Sequence, residues 1–324
     1  MKKSLLLVLL AIVTLIGKAQ QDPQLTMWQF DRVSFNPAAT GMNGMHNMTL
    51  FHRDQWDGFD KDPKTYLFNY DGQFNQMTNT FTGGIGAGIS FFTEVLGQQQ
   101  NNVFRINLAP KWLLNNGSTL GFGASLGGYQ SKLGANWIYI DQNDPTIPDR
   151  EQVAGAFDLG LGFTLYKPGN YYVGASATHL TASEFKDLSM KQARHYYFMG
   201  GYEYALPAAN IVLRPNALIK TDFNATQFDI NIDALWNQML WGGLAFRPGD
   251  AIAPYVGFQK SFTAKKLSPT KDLCEHGIRI GYSYDVTTSE IKTYSSGSHE
   301  IFLTYSFKFC PIVIKAKNHN PRFL

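Results

Sequence analysis

Apolar and polar residues alternate with a period of two over most of this chain. In the segment 226–236, apolar side chains at every second position alternate with amides and carboxylates: Phe228, Ile230, Ile232, Ala234 and Trp236 against Gln227, Asp229, Asn231 and Asp233. The same alternation occurs at 103–112, 211–220 and 278–285. Because successive side chains of a β-strand point to opposite faces, the pattern predicts strands with one apolar and one polar face.

Segments of this kind, roughly 10–15 residues long, recur along nearly the whole chain, as a lipid-facing band flanked by aromatic residues requires. We predict fourteen strands, at 45–53, 64–73, 81–94, 99–113, 117–130, 152–166, 170–180, 192–205, 209–220, 225–236, 238–247, 250–263, 273–285 and 298–310. A soluble β-sandwich shows the same alternation in any single strand. The repetition and the even number favour an all-β, transmembrane antiparallel β-barrel.

The connections between these strands differ in length. Turn-forming residues give tight connections at 115–117, 167–170, 206–208 and 236–238, whereas those at 54–63, 131–151, 181–191 and 286–297 are longer. Short turns that alternate with long loops indicate a periplasmic and an extracellular end. The segment 264–272 is an exception, because it falls on the short-turn side and is longer.

The N-terminus has the features of a secretory signal. Lys2 and Lys3 precede an apolar run at 5–16, and Ala19 supplies a small residue at the expected cleavage site. The apolar run is too short to span a bilayer as a helix, and no Cys follows it to accept a lipid. We therefore expect residues 1–19 to be a cleaved signal peptide.

The rest of the chain shows no domain boundary. Residues 20–44 precede the first strand and are expected either to fill the lumen as a plug or to lie across the periplasmic mouth. Residues 45–310 are predicted to form the barrel, and the basic segment 311–324 is expected to be a periplasmic tail.

Net charge excludes one class of partner. Loss of residues 1–19 removes three of the 28 Lys and Arg residues, which leaves 25 basic against 25 acidic side chains. Nothing then favours a nucleic-acid partner. No apolar stretch after residue 16 is long enough for a transmembrane helix, so a membrane form must be a closed barrel.

A set of charged residues is predicted to face the lumen: Arg105, Lys111, Asp158, Glu203, Arg214, Lys220, Asp229, Asp233, Arg279 and Asp285. Opposite charges in this set can pair across the barrel, as any polar-lined lumen needs. Alternatively, they hold a polypeptide segment inside the lumen. We favour pairing for most of them.

Two glycine-rich motifs resemble catalytic or nucleotide-binding loops only superficially. The segment 123–127 (GASLG) matches the G-x-S-x-G elbow, but it lies within an alternating strand and not at a strand-to-helix turn. The segment 83–88 (GGIGAG) lacks a following helix and a Lys-Ser/Thr pair. Its glycines are better explained by close approach of a plug or bound segment.

Candidate catalytic and metal-binding residues are scattered. Ser298, His299 and Glu300 are neighbours in a predicted strand and so cannot all face one site. The seven His residues show no metal-ligand spacing. We therefore expect a protein that is not an enzyme and has no cofactor and no metal, with an outer-membrane hydrolase using Ser125, His179 or His299 as the weakest alternative.

The two cysteines, Cys274 and Cys310, lie nearly opposite each other if the last two strands form a hairpin centred near residue 292. Their predicted side chains face opposite sides of the wall, so we predict no disulfide, although a bulge would allow one.

Several segments resemble one protein family. They are 21–24 (QDPQ), 35–41 (FNPAATG), 53–59 (RDQWDGF), 63–66 (PKTY), 194–197 (RHYY), 213–215 (LRP), 249–252 (GDAI), 281–285 (GYSYD) and 295–301 (SSGSHEI). Together they resemble the PorP/SprF family, outer-membrane proteins of the type IX secretion and gliding apparatus of Bacteroidota. The one departure is Ala38-Ala39, where an aromatic residue is more usual before the glycine.

This resemblance implies an outer-membrane barrel that takes part in secretion or surface anchoring of large adhesins through their C-terminal domains. The implied partners are such a C-terminal domain, periplasmic components of the type IX system, or both, together with outer-membrane lipid. The family-motif positions are our candidate binding residues: Asn36, Pro37, Gly41, Arg53, Trp56, His299 and Glu300. The alternative function is a small-solute outer-membrane channel or porin-like transporter, which needs an open lumen.

Overall fold

The computed structural model describes residues 24–58, 61–74, 81–135, 150–185, 188, 190–263 and 275–308. Its strands are β1 His46–Asp54, β2 Lys64–Phe74, β3 Ile85–Leu96, β4 Gln99–Leu113, β5 Thr119–Leu133, β6 Gln152–Lys167, β7 Tyr171–Thr178, β8 Glu184–Phe185, β9 Met190–Lys191, β10 His195–Tyr202, β11 Tyr204–Leu206, β12 Ile211–Thr221, β13 Thr226–Trp236, β14 Leu240–Arg247, β15 Ala251–Thr263, β16 Glu275–Thr287 and β17 Ser298–Phe307.

Each strand pairs antiparallel with its neighbours until the sheet closes on itself. The first strand β1 pairs with the last, β17, from His46 opposite Phe307 to Asp54 opposite His299. Strands β10 and β11 both pair with β12 and form one barrel strand that is interrupted at Glu203. Counted this way, the described residues form a closed barrel of fourteen strands, as predicted, and β8 and β9 form a separate small hairpin.

The two faces of the wall differ as the alternation predicts. Ile230 and Ile232 on β13 are exposed on the outer face. Asp229, Asn231 and Asp233, which alternate with them, are buried inside the barrel. Exposed apolar side chains cover the outer face of the other strands in the same way. The apolar face therefore meets lipid, and the polar face lines the lumen. In the described part of the chain, no helix has the length and apolar character needed to cross a membrane.

The two ends of the barrel are distinct. We call the end that carries the connections 55–63, 134–151, 179–194 and 288–297 the loop end, and the opposite end the turn end. The four longer connections predicted from the sequence all lie at the loop end. The expected contrast between an end with long connections and an end with short turns is only partial. The loop end also carries short connections, at 97–98, 222–225 and 248–250.

Three predicted boundaries shift for identifiable reasons. Strand β3 begins at Ile85 and not at residue 81, because Gly84 adopts a φ of +82° and its N–H bonds to the carbonyl of Phe81 in a turn. Strand β10 begins at His195 and not at residue 192, because the N–H of Gln192 bonds to Ser183 in the small hairpin. The last strand ends at residue 307 and not at residue 310.

Cys274 and Cys310 both lie outside the described residues, so the absence of a disulfide between them stays a prediction.

The lipid-facing assignment predicts the effect of a charge on the wall. Ile232, near the middle of β13, is 53% exposed on the outer face. We expect Ile232→Arg to lower the free energy of unfolding in lipid vesicles by roughly 2–4 kcal/mol, measured by urea titration. The matched control is Phe223→Arg in the β12–β13 turn, where the side chain is 76% exposed, and we expect a change within about 0.5 kcal/mol. Equal effects at both positions would contradict the assignment.

Candidate functional site

Residues 24–44, which we call the lumenal segment, lie inside the barrel. The segment starts at the loop end, where the Gln24 Nε2 donates to Gln227 Oε1 over 2.8 Å. It finishes at the turn end, where the Asn43 Nδ2 donates to Asn47 Oδ1 over 2.8 Å just inside β1. The side chains of Met27 and Trp28 are fully buried between these points. Residues 24–44 therefore occupy much of the lumen.

Local sequence explains the compact path of the segment. It forms three short 3-10 turns, at Trp28–Phe30, Arg32–Ser34 and Pro37–Ala39. The third begins with Asn36, whose Oδ1 accepts the N–H of Ala38 over 2.9 Å. Pro37 follows at the first position of the turn, where its fixed φ fits and no N–H donor is lost.

The upper part of the segment is held by a buried carboxylate. The two oxygens of Glu300 on β17 accept the N–H groups of Thr26 and Met27, each over 2.8 Å. The Oγ1 of Thr26 donates to Asp285 on β16 over 2.7 Å. Hydrogen bonds to charged groups are among the strongest in proteins, so these contacts fix the segment against the wall.

Arg53 on β1 completes this arrangement. Its Nη2 donates to Asp285 Oδ2 over 2.8 Å, and its Nη1 lies 3.3 Å from Glu300 Oε2 and 2.9 Å from Thr26 Oγ1. Arg247 at the end of β14 extends the network, since it lies 3.5 Å from Asp285 and 2.9 Å from the carboxylate of Asp229. We call Arg53, Asp229, Arg247, Asp285 and Glu300 the anchor cluster.

The anchor cluster contains three carboxylates and two guanidinium groups, all buried. Buried charges are tolerated only when further hydrogen bonds compensate for the lost water. The N–H groups of Thr26 and Met27 provide such bonds to Glu300. The wall and the lumenal segment are therefore mutually dependent.

Below the anchor, Phe30 packs against an aromatic patch on the wall. Its ring centroid lies 4.6 Å from that of Trp241 and 5.0 Å from that of Phe302. The guanidinium carbons of Arg279 and Arg214 lie 5.2 and 5.5 Å from the centre of the same ring. Phe30 is therefore held by both apolar burial and cation–π contacts.

Asp31 couples the segment to β2. Its carboxylate accepts the Asn69 Nδ2 and the Ser34 Oγ, each over 2.5 Å. Burial raises the pKa of Asp31 to about 6 in spite of these two hydrogen bonds, and the nearby carboxylates of Asp71 and Glu300 add to the increase. Folding therefore makes protonation of Asp31 easier than it is in the unfolded chain.

Glycines in the wall make room for the rest of the segment near the turn end. A Cβ atom at Gly86, Gly123 or Gly162 would overlap with Thr40, Ala38 or Asn36 of the segment, respectively. At Gly86, this agrees with the close approach expected from the 83–88 motif. The backbone of the segment thus runs directly along the inner wall of β3 and β5, and the side chains of Asn36 and Pro37 lie against β6.

The segment reaches β1 through Gly41. Its φ of +64° is in the left-handed region that favours glycine, and a Cβ there would overlap with the backbone of Gly72. The N–H of Gly41 donates to Asp71 Oδ2 over 2.7 Å.

Two loops above the anchor cluster are bonded to each other. We call residues 55–58 and 294–298 the loop platform. The N–H of Trp56 donates to Ser298 Oγ over 3.0 Å, and the N–H of Asp57 donates to the carbonyl of Gly297 over 2.8 Å. Ser296 returns a bond from its N–H to the Asp57 carbonyl over 2.6 Å. The platform adjoins the end of β1 and the start of β17, and these two strands carry Arg53 and Glu300. The platform therefore rests directly on the anchor cluster.

The candidate residues from the sequence fall into three places. Asn36, Pro37 and Gly41 lie in the lumenal segment against the wall, and Arg53 and Glu300 meet in the anchor cluster.

Trp56 belongs to the loop platform. His299 does not join the others, because it lies on the outer face and its Nδ1 is 2.7 Å from the Tyr282 hydroxyl. Thr26 and Arg247 were missed by sequence reasoning. No local pattern distinguishes them, since Thr26 bonds to Asp285 and Glu300, 259 and 274 positions away, and Arg247 lies beside Asp285, 38 positions away.

The predicted inward charges take both expected roles. Arg105 pairs with Asp158 over 3.0 Å, and Lys220 lies 3.8 Å from Asp229. Asp285 binds the lumenal segment instead. Glu203 is an exception, because it lies exposed at the break between β10 and β11.

The catalytic-looking motifs have structural roles. Ser125 of the G-x-S-x-G match lies inside the extended strand β5, with Ala124 and Leu126 exposed on the other face. Ser298 and Glu300 face inward, and His299 faces outward. Among the described residues, no three His, Cys, Asp or Glu side chains are grouped so as to hold a metal ion.

A closed antiparallel barrel with an apolar outer face and a polar lumen is the structure of an outer-membrane β-barrel protein. Comparison with known sequences gives the family. The sequence model of the type IX secretion system membrane protein family PorP/SprF matches residues 17–305, and the chain belongs to this family. It is therefore an outer-membrane component of the type IX secretion system. No curated protein matches the chain.

Solved barrel structures are similar over most of the chain but at low identity. The outer membrane protein Omp33 of Acinetobacter baumannii is 9% identical, with 82% of this chain and 99% of that chain covered and a TM-score of 0.42. A FadL homologue of Pseudomonas aeruginosa is 10% identical, with 90% and 95% covered and a TM-score of 0.47. The CymD monoaromatic hydrocarbon channel is 11% identical, with 91% and 97% covered and a TM-score of 0.46.

Removal of Arg53 tests the anchor cluster. Arg53→Met leaves Asp285 and Glu300 buried without their main cation, so we expect a loss of about 3–5 kcal/mol in the free energy of unfolding. Proteolysis of the lumenal segment should also become faster. The control is Lys191→Met in the exposed pair with Glu184, for which we expect at most about 1 kcal/mol. Similar stability of the two variants would show that the anchor cluster does not hold the fold.

A second test separates the segment from the wall. Gly123→Ala places a methyl group where Ala38 lies, so we expect hydrogen exchange of the amides at 36–41 to become at least tenfold faster, measured by mass spectrometry. Gly128→Ala in the same strand is the control, because its Cβ would meet only the Ala156 carbonyl at 3.9 Å. Unchanged protection in both variants would contradict the proposed close approach.

The raised pKa of Asp31 predicts a pH dependence. A carboxyl whose folded pKa exceeds its unfolded value stabilises the fold below the unfolded pKa, and this contribution is lost as the pH rises through about 6. We therefore compare the unfolding free energies of Asp31→Asn and the wild type at pH 4 and at pH 7.5. We expect the difference, variant minus wild type, to increase by roughly 2 kcal/mol between these two pH values. Parallel stability curves for the two proteins would show that Asp31 does not titrate in this range.

Proposed function

We propose that this barrel is a non-catalytic receptor that holds the C-terminal domain of a large secreted adhesin at the outer membrane. The observation that carries the proposal is the position of the loop platform, which rests on the anchor cluster and through it on the lumenal segment. A surface that is fixed by buried charges presents a rigid binding site and loses little conformational entropy on binding.

The orientation of the barrel supports this assignment. The longer connections of outer-membrane barrels face the outside, so the loop platform is on the side where a secreted protein emerges. Trp56 is partly exposed there, and tryptophan is among the residues that contribute most at protein interfaces. The turn end faces the periplasm and is the side available to periplasmic components of the secretion system.

The filled lumen argues against the alternative of a small-solute channel. Near the turn end, the backbone of residues 36–41 lies directly against Gly86 and Gly123 in the wall. The segment therefore narrows the lumen at this level. In planar bilayers we expect the wild type to give little conductance, and a large conductance would favour the channel.

A pair of tryptophan variants tests the receptor proposal. Trp56→Ala removes a side chain from the loop platform, whereas Trp236→Ala removes an exposed one at the turn end. We expect Trp56→Ala to reduce recovery of the adhesin C-terminal domain in pull-downs from mild detergent at least tenfold, and to cause shedding of the adhesin from cells. Trp236→Ala should retain both.

Heat-modifiable mobility on gels shows that each variant is folded. The proposal fails if the wild-type barrel recovers no adhesin domain, or if folded Trp56→Ala recovers as much as Trp236→Ala.

A further inference from the structure

A cavity of about 210 Å³ lies inside the barrel, between the lumenal segment and the wall on the side of β2, β3 and β4. Its lining includes a belt of apolar side chains from both surfaces: Leu25, Phe35, Leu67, Phe92, Val103 and Tyr197. The cavity extends toward the loop end, where Leu96 and Gln99 also line it.

Apolar side chains at inward positions are unusual in a lumen that is otherwise polar. On the opposite side of the barrel, the inward-facing Trp241 and Phe302 are covered by Phe30 of the lumenal segment. On this side, Leu67, Phe92 and Val103 face the cavity. Leu67 and Phe92 pack in the same apolar cluster as Leu25 and Phe35 of the segment, and the cavity leaves room for a further apolar group beside Val103.

Two of the polar groups that line the cavity, Arg105 and Asn69, already donate to partners within the protein. Arg105 at its floor donates from Nε to Asp158 over 3.0 Å, and the Asn69 Nδ2 donates to Asp31. A charged ligand would have to compete with these bonds, whereas an apolar one would leave them intact.

The small hairpin β8–β9 lines part of the cavity. Phe185 of β8 is buried with its ring centroid 5.6 Å from that of Tyr129, and Met190 of β9 also lines the cavity. The flexible side chain of a methionine adapts readily to apolar partners of different shape.

We propose that this cavity binds a small, uncharged and largely apolar organic molecule, of about the size of a substituted benzene. Its volume exceeds the roughly 150 Å³ of an engineered cavity in another protein that takes up benzene. Protein interiors are close-packed, so an occupant of this size gains dispersion contacts on all sides. The site is separate from the loop platform and goes beyond the receptor function.

Bromobenzene is a suitable probe, because its bromine can be located by anomalous scattering in crystals of the full-length protein. We expect bromine density among Leu67, Phe92 and Val103 in the wild type. Val103→Phe fills the cavity and should abolish the density. Val173→Phe is the matched control, because Val173 is exposed on the outer face of β7, and this variant should keep the density.

Ala193→Phe fills the same cavity from the connection before β10 and replaces Val103→Phe if that variant fails to fold. No bromine in the wild-type cavity would overturn the proposal, as would equal density in the wild type and the folded filled variant. Adhesin retention, measured separately, tests the receptor function, and so failure of one proposal is distinguishable from failure of the other.

Discussion

Closure of the sheet is the constraint on which the rest of this structure depends. In hydrocarbon no water is available for unpaired backbone groups, so each strand must have a partner on both sides. The pairing of β1 with β17 provides this for the two strands at the ends of the sequence. Once the ring is closed, alternation along each strand decides which side chains meet lipid and which enter the lumen.

Closure also creates an interior that must be filled or hydrated. This protein fills much of it with its own residues 24–44. The contacts are of three kinds: buried ion pairs at the loop end, aromatic packing at Phe30, and backbone against wall glycines toward the turn end. Since the carboxylates of the anchor cluster depend on N–H groups of the segment, the segment is an integral part of the fold.

The arrangement links the interior to the external surface. Trp56 follows Arg53 by three residues, just beyond the end of β1, and Ser298 precedes Glu300 by two residues in β17. The position of the lumenal segment and the geometry of the loop platform are therefore connected through the end of β1 and the start of β17. This connection supports the proposed receptor role, because a surface that is fixed from inside the barrel loses little conformational entropy on binding.

The sequence alone determined the strands, their sidedness and the closed barrel. The reason is that a period of two is a local property, visible in residues such as Phe228 to Trp236 without knowledge of their neighbours. The starts of β3 and β10 differ from the predicted ones. At Gly84 a positive φ, and at Gln192 one hydrogen bond of the small hairpin, determine the backbone path in spite of the alternation. The family motifs gave Arg53 and Glu300 as candidates, and the inward set included Asp285.

Only the tertiary structure decided that these residues meet Thr26, that Arg247 joins them, and that Gly123 and Gly162 make room for the segment. Such contacts join positions separated by up to 274 residues. They arise from closure of the ring and leave no periodic trace in the chain.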